Sequence, residues 1–249
     1  MIKNPEEIEA MRQAGKLLGK MLAELRDFVE PGKSTLDIEY RAQELCKENG
    51  VKPAFKGYHG YPWYCCISTN NDVVHGFPNE KPLKKGDLVT IDFGIMAGKL
   101  HTDSAVSVIV GGEEAGSPTA RRLNEVTRKA MYKGIREIKP GAKTGDIGNA
   151  IQKEVERAGF SIIKELTGHG IGYNLHEDPQ ILNYGKKGSG TALKPGMIIC
   201  IEPIVSAGER FIETAEDGWT IAVRDGSLGC QWEHMVLVTP NGHEILTQA

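Results

Sequence analysis

The chain has 249 residues, of which 40% are apolar and 25% charged, with a formal net charge of -3. These values describe a soluble globular chain long enough to bury a substantial core, not a disordered one. They also imply no general electrostatic attraction to nucleic acid or to a membrane surface. The opening Met-Ile-Lys-Asn-Pro-Glu-Glu lacks the apolar run of a signal peptide. No later stretch approaches the roughly 18 uninterrupted apolar residues of a membrane span. The five cysteines (Cys46, Cys65, Cys66, Cys200 and Cys230) are scattered and form no C-x-x-C pair, so free thiols in a reducing cytoplasm are expected.

The first predicted element is a helix. Asn4 can cap it, Pro5 suits its first turn, and Glu6 and Glu7 complement the positive end of its dipole. Ile8, Met11, Leu18, Met21, Leu22 and Leu25 then recur at helical spacing until Pro31-Gly32. A second helix is expected from about Thr35 to Asn49, with Gly50 as its C-terminal cap.

The same programme returns about 110 residues later. Ser117-Pro118 opens a helix carrying Leu123, Val126, Met131 and Ile135, and Pro140-Gly141 ends it. Pro31-Gly-Lys-Ser-Thr-Leu-Asp-Ile38 then matches Pro140-Gly-Ala-Lys-Thr-Gly-Asp-Ile147, which makes Thr35 and Thr144 equivalent caps and pairs Gly50 with Gly159. Leu83-Lys-Lys-Gly-Asp-Leu-Val-Thr-Ile-Asp92 aligns without gaps against Leu193-Lys-Pro-Gly-Met-Ile-Ile-Cys-Ile-Glu202. Each is a Gly-marked turn entering a β-branched strand that ends on a carboxylate. His59-Gly60 falls opposite His169-Gly170 in the same register. The pattern predicts one α+β domain with pseudo-two-fold symmetry, in halves of about 1–112 and 113–249, each of two helices followed by antiparallel strands. A site at the junction would draw its ligands from both halves.

Asp92, Asp103, His169, Glu202 and Glu233 stand in apolar or Gly-marked stretches, where a carboxylate is costly unless partnered. Gly98-Lys99 can turn a hairpin that brings Asp92 and Asp103 to one face, and Glu233 leads into the apolar run Met235-Val-Leu-Val238. Four carboxylates and one imidazole suit divalent first-row ions better than thiolates would. Without cations the carboxylates would repel one another and raise their pKa values.

Taken in order, Ile-Asp-Phe-Gly, His-Thr-Asp-Ser, Thr-Gly-His-Gly-Ile-Gly, Ile-Glu-Pro and Trp-Glu-His resemble the metal-ligand set of the methionine aminopeptidases. The resemblance covers nearly the whole chain and is closest to the bacterial type I form. It implies the pita-bread fold, two helix-helix-strand repeats around an antiparallel curved sheet. It also implies two divalent ions per chain, with Co, Mn, Fe or Zn all admissible. Asp103 and Glu233 would serve both ions, Asp92 one, and His169 with Glu202 the other. Glu202 would also accept a proton from water, since a divalent ion lowers the pKa of a water and two cations stabilise a developing oxyanion.

By the same resemblance, His75 would contact the scissile amide and His176 the peptide carbonyl. Tyr58, His59, Tyr61, Cys66, Leu175 and Trp219 would line the side-chain pocket, where aromatic rings and sulfur suit a thioether. The chain departs from the family's usual pattern at Pro62-Trp63-Tyr64-Cys65, at Phe55 and at Leu175, which bears on tolerance for the second residue. The implied partners are N-termini of nascent chains near the ribosome, met by a cytoplasmic monomer with no nucleic-acid or membrane partner. Two other functions compete. An Xaa-Pro aminopeptidase of the same fold usually carries an extra N-terminal domain, whereas here the first helix starts near residue 5. A non-catalytic binding module would have lost ligands, whereas all five are present.

Overall fold

The structure is a computed structural model and describes residues 2–248. Helix α1 (Pro5–Phe28) begins where Asn4 and Glu7 satisfy each other's backbone N–H groups, at 2.8 and 2.9 Å. Its Met11, Leu18, Met21, Leu22 and Leu25 form one buried stripe. Helix α2 (Thr35–Glu48) ends with Asn49 as its cap and Gly50 at φ 64°. Helices α3 (Pro118–Arg136) and α4 (Thr144–Arg157) repeat the pair.

The expected caps Thr35 and Thr144 are displaced by one residue. Ser34 caps α2 by accepting from the Asp37 N–H, and the Asp146 carboxylate takes the Lys143 N–H at 2.7 Å. The two threonine hydroxyls instead accept from Asn79 N–H (2.8 Å) and Thr191 N–H (3.2 Å). They pin the segment that approaches each half's main strand.

Strands of the first half are β1 (Cys65–Thr69), β2 (Asp72–Val74), β3 (Leu88–Phe93), β4 (Met96–Ala97), β5 (Leu100–His101) and β6 (Ser104–Ile109). Those of the second half are β7 (Ser161–Ile162), β8 (Gly168–Gly170), β9 (Glu177–Ile181), β10 (Ile198–Ile201), β11 (Ile204–Ser206), β12 (Ile212–Thr214), β13 (Ile221–Val223), β14 (Gly229–Gln231), β15 (His234–Thr239) and β16 (Gly242–Ile245). The main ladders are antiparallel, in the orders β1-β3-β6 and β16-β15-β10-β8-β9. An Ala105–Glu233 bridge joins them. The internal repeat extends to single hydrogen bonds. Gly32 N–H donates to Leu83 O and Leu83 N–H to Lys33 O; Gly141 N–H donates to Leu193 O and Leu193 N–H to Ala142 O. The expected match of His59 with His169 does not hold in the backbone, because His59 lies in a one-turn 3-10 helix at φ 48° while His169 is in β8.

Strand periodicity aims the acidic residues. Val89, Ile91 and Phe93 join the core under α1 and α2, so Asp92 points to the opposite face of β3. Ile199 and Ile201 join the core under α3 and α4, so Glu202 continues the other face of β10. Each carboxylate therefore turns away from its own helices, toward the junction. All five cysteines are buried, and none forms a disulfide. Among the described residues no helix is long and apolar enough to cross a membrane.

Candidate metal centre and substrate pocket

The five residues singled out in the sequence converge at the junction of the two halves. Asp92 lies opposite Ala105 in the β3–β6 ladder, and Ala105 bridges Glu233, which stacks the three backbones side by side. Asp103 enters from the turn before β6, after the β4–β5 hairpin reverses at Gly98 as expected (φ 63°). His169 comes from β8 and Glu202 from the end of β10. Ser104 Oγ donates to Glu233 O at 2.7 Å, and Asn183 Nδ2 donates to Glu202 O at 2.9 Å.

The hydrogen bonding sets the imidazole's tautomer. His169 Nδ1 lies 2.9 Å from Gly170 O, and a carbonyl only accepts, so Nδ1 carries the proton. Nε2 then presents a lone pair, 3.4 Å from Glu202 Oε1 and 3.8 Å from Asp103 Oδ2. That lone pair therefore faces carboxylate oxygens, at the distance of a shared cation's ligands rather than of a close hydrogen bond. Burial lowers the His169 pKa to about 3, and His176 beside it adds to the effect, so the ring stays neutral.

The carboxylates are under the opposite stress. Burial pushes Asp92 up to about 6. Burial, then Glu233 and Asp92, raises Asp103 well above the carboxylate range; burial, then Asp103 and Asp92, does the same to Glu202. Glu233 is raised by burial, then by Glu202 and Asp92. Asp92 Oδ1, Asp103 Oδ1 and Glu233 Oε1 are buried without a hydrogen-bond partner. Four acids of one sign, three orphaned oxygens and a ring nitrogen aimed inward fit divalent cations, which would satisfy all of them at once.

Glycines let the backbones approach this closely. A Cβ on Gly168 would stand 2.3 Å from Cys200 O, and one on Gly170 2.3 Å from Asp178 O. Thr167-Gly-His-Gly-Ile-Gly172 is therefore a packing requirement of β8 between β9 and β10 as well as a chemical signature.

A cavity of about 220 Å³ opens over the cluster, lined by Tyr58, His59, Tyr61, Cys66, His75, Asp92, Asp103, Leu175, His176, Trp219 and Phe55. Every residue expected in the pocket is among them. Tyr61 and Trp219 meet edge-on with ring centroids 5.2 Å apart, and Trp219 stacks on Phe77 at 6.5 Å. Tyr58 OH lies 3.0 Å from His176 Nδ1, and the His169 and His176 rings are 4.3 Å apart. Burial lowers the pKa of His75; burial, then His75, lowers that of His176 to about 4. Trp63 lies outside the lining and packs edge-on against Phe77.

Two residues at the cluster were not singled out in the sequence. Gln231 is 1% exposed, and its Nε2 donates to Asp92 Oδ2 and Glu202 Oε2, both at 3.3 Å. One amide thus orients a carboxylate from each half. The signal was present, because Gln231 precedes Glu233 by two residues near the end of β14. The second is Cys200, whose Sγ falls within 4.8 Å of potential ligand atoms on Asp103, His169 and Glu233. Burial, then the Glu233, Asp103 and Glu202 charges, raises its pKa far above the ordinary thiol value and keeps it protonated.

Fold and site together define a two-half α+β protein with a carboxylate–imidazole centre under a small aromatic pocket. The sequence matches the model of metallopeptidase family M24 over residues 9–240, and the chain belongs to that family. It is 42% identical to methionine aminopeptidase 1 of Bacillus subtilis over 246 residues, 99% of this chain and 98% of that protein. It is 44% identical to the Escherichia coli K12 methionine aminopeptidase over 250 residues, 99% of this chain and 93% of that protein. The crystal structure of the Thermotoga maritima methionine aminopeptidase superposes with a TM-score of 0.96 at 46% identity, covering 100% and 99% of the two chains. The prolidase of Pyrococcus furiosus shares the fold at a TM-score of 0.80 and 26% identity, but this chain covers only 65% of it. The architecture is the pita-bread fold.

Proposed function

We propose that the protein is a metal-dependent methionine aminopeptidase that removes the first residue from polypeptides whose second residue is small. The observation that carries this is a side-chain-sized pocket ending on the metal centre. At about 220 Å³ it falls below the usual range of small-molecule sites, which suits one amino-acid side chain. Aromatic rings and the Cys66 sulfur line it, which suits a thioether.

Asp92, Asp103, His169, Glu202 and Glu233 would hold two divalent ions. Such ions supply Lewis-acid polarisation of a carbonyl and acidify a water. Glu202 would accept the proton of the attacking water, with its Oε2 held by Gln231 at 3.3 Å. Tyr58 OH lies 3.0 Å from His176 Nδ1 and orients the ring, which would leave Nε2 facing the peptide carbonyl. His75 contacts the scissile amide. The positive φ of His75, 58°, marks a backbone held in an uncommon conformation at the pocket wall. Both halves act as one catalytic domain. The substrates would be N-termini of nascent chains, met in the cytoplasm near the ribosome by a monomer.

The test is hydrolysis of Met-Ala-Ser and Ala-Pro-Ser by chelator-stripped protein, before and after adding Mn, Co or Fe. Metal-restored release of methionine is the expected outcome. Release of alanine ahead of proline would move the chain to the Xaa-Pro branch, and silence from folded protein with every metal would leave a binding module.

A further inference from the structure

At the N-terminus the usual burial rule is inverted. Ile2 is 53% exposed, whereas the neighbouring Lys3 is 3% exposed and its side chain wholly enclosed. A buried ammonium is costly unless it is paired and hydrogen-bonded. Lys3 Nζ donates to Glu177 Oε2 at 2.9 Å, and the Glu177 side chain is itself only 6% exposed.

That pair sits beneath the loop joining β8 to β9, which delivers Leu175 and His176 to the pocket. Glu177 Oε1 accepts from Asn174 N–H at 3.1 Å, so one carboxylate ties the loop's middle to its end. A Cβ on Gly172 would stand 2.1 Å from Lys3 Nζ, so the ammonium is seated directly against the start of the loop. Tyr173 OH donates to Glu7 Oε1 at 2.5 Å, a second tie from the same loop to the start of α1. On the other side, Lys3 N–H donates to Gly196 O at 2.8 Å and Ile2 bridges Met197, immediately before β10 and Glu202. Residues 2–7 thus strap the His176 loop to the strand that carries Glu202.

We propose that Lys3 is a positioning residue for His176: clamped on Glu177, it sets the loop 172–176 and hence the imidazole's place over the metal centre. A strap needed only to bury the chain end would place Ile2 inward and Lys3 outward. The charge is inside because the buried Glu177 carboxylate is there to bind it. Lys3 does not touch the substrate; it acts through Glu177 and the loop. This rests on the aminopeptidase reading of the pocket.

The test uses the full, metal-loaded chain with Lys3→Met, Lys3→Arg and the double variant Lys3→Met/Glu177→Gln. Four quantities are read: kcat and KM on Met-Ala-Ser, metal stoichiometry, Tm, and the His176 ring signals of 15N-histidine-labelled protein. In Lys3→Met, kcat should fall about tenfold or more while metal content holds within about twofold, as displacement of one catalytic group predicts. The His176 signals should broaden or split. Lys3→Arg should keep most of the activity. The double variant, which removes the charge of both Lys3 and Glu177, should recover Tm but not kcat. Wild-type kcat in Lys3→Met, or joint recovery of Tm and kcat in the double variant, would overturn the proposal by making the pair purely stabilising. If Lys3→Met does not fold, the double variant decides. If wild-type protein releases no methionine, the functional reading fails, and the His176 signals still test whether Lys3 sets the ring.

Discussion

Gly170→Ala is the most informative single substitution at the metal centre, because it adds one methyl group and no charge. The new Cβ would stand 2.3 Å from Asp178 O and 2.8 Å from Asp178 C, about 1 Å inside ordinary contact with backbone that has no rotamer to change. β8 and β9 must move apart by that order, and His169 moves with β8. Overpacking of this kind costs about 1–3 kcal/mol. For a chain of this size that is about 2–12 °C in Tm. The larger effect falls on function, since a displacement of about 1 Å at a reacting geometry costs on the order of a hundredfold in rate. The assay is calorimetric titration of Mn into the apo-protein, alongside turnover of Met-Ala-Ser. Gly242→Ala serves as the control, because a Cβ there meets nothing within 4 Å. If Gly170→Ala binds metal and turns over like that control, the account of these glycines as spacers for His169 is wrong.

Glu202→Gln removes the proposed proton acceptor with little change of shape, so it should keep the circular-dichroism spectrum while turnover drops steeply; near-normal turnover would refute that role. Gln231→Leu deletes the amide shared by Asp92 and Glu202, and should weaken metal binding by about 10–100-fold in a chelator competition, with unchanged affinity counting against it. Away from the site, Glu154 has a side chain 4% exposed and lies among Lys133, Arg157 (3.0 Å) and Lys129 (3.5 Å). Burial alone would raise its pKa, but these cations hold it below the ordinary value. A depressed folded-state pKa contributes stability above the unfolded value, lost as pH falls through the folded one. The Tm gap between wild type and Glu154→Gln should therefore be full at pH 7 and close below about pH 4, within the range where carboxylates titrate. A gap independent of pH would show that Glu154 acts by packing.

The features legible in the sequence were those that depend on near neighbours along the chain. Asn4 and Glu7 cap α1 across three residues, helical spacing sets the buried stripe, and period-two alternation turns Asp92 and Glu202 away from Ile91 and Ile201. An acid in such a run is costly alone, so five polar residues in apolar or Gly-marked settings already implied a cation. The cap of α2 was one residue off because the N-cap depends on how the incoming chain bends, and Thr35 is instead claimed by Asn79 from across the fold. The likeness of His59 to His169 failed for a similar reason, since a two-residue match does not carry backbone conformation with it. Tertiary structure alone decided what crosses between elements: Gln231 spanning two carboxylates, Tyr58 meeting the His176 ring, and Lys3 pairing with Glu177, 174 residues away. Those contacts join positions with no periodic relation along the chain, and their energies arise only after water has been excluded between surfaces that folding brings together.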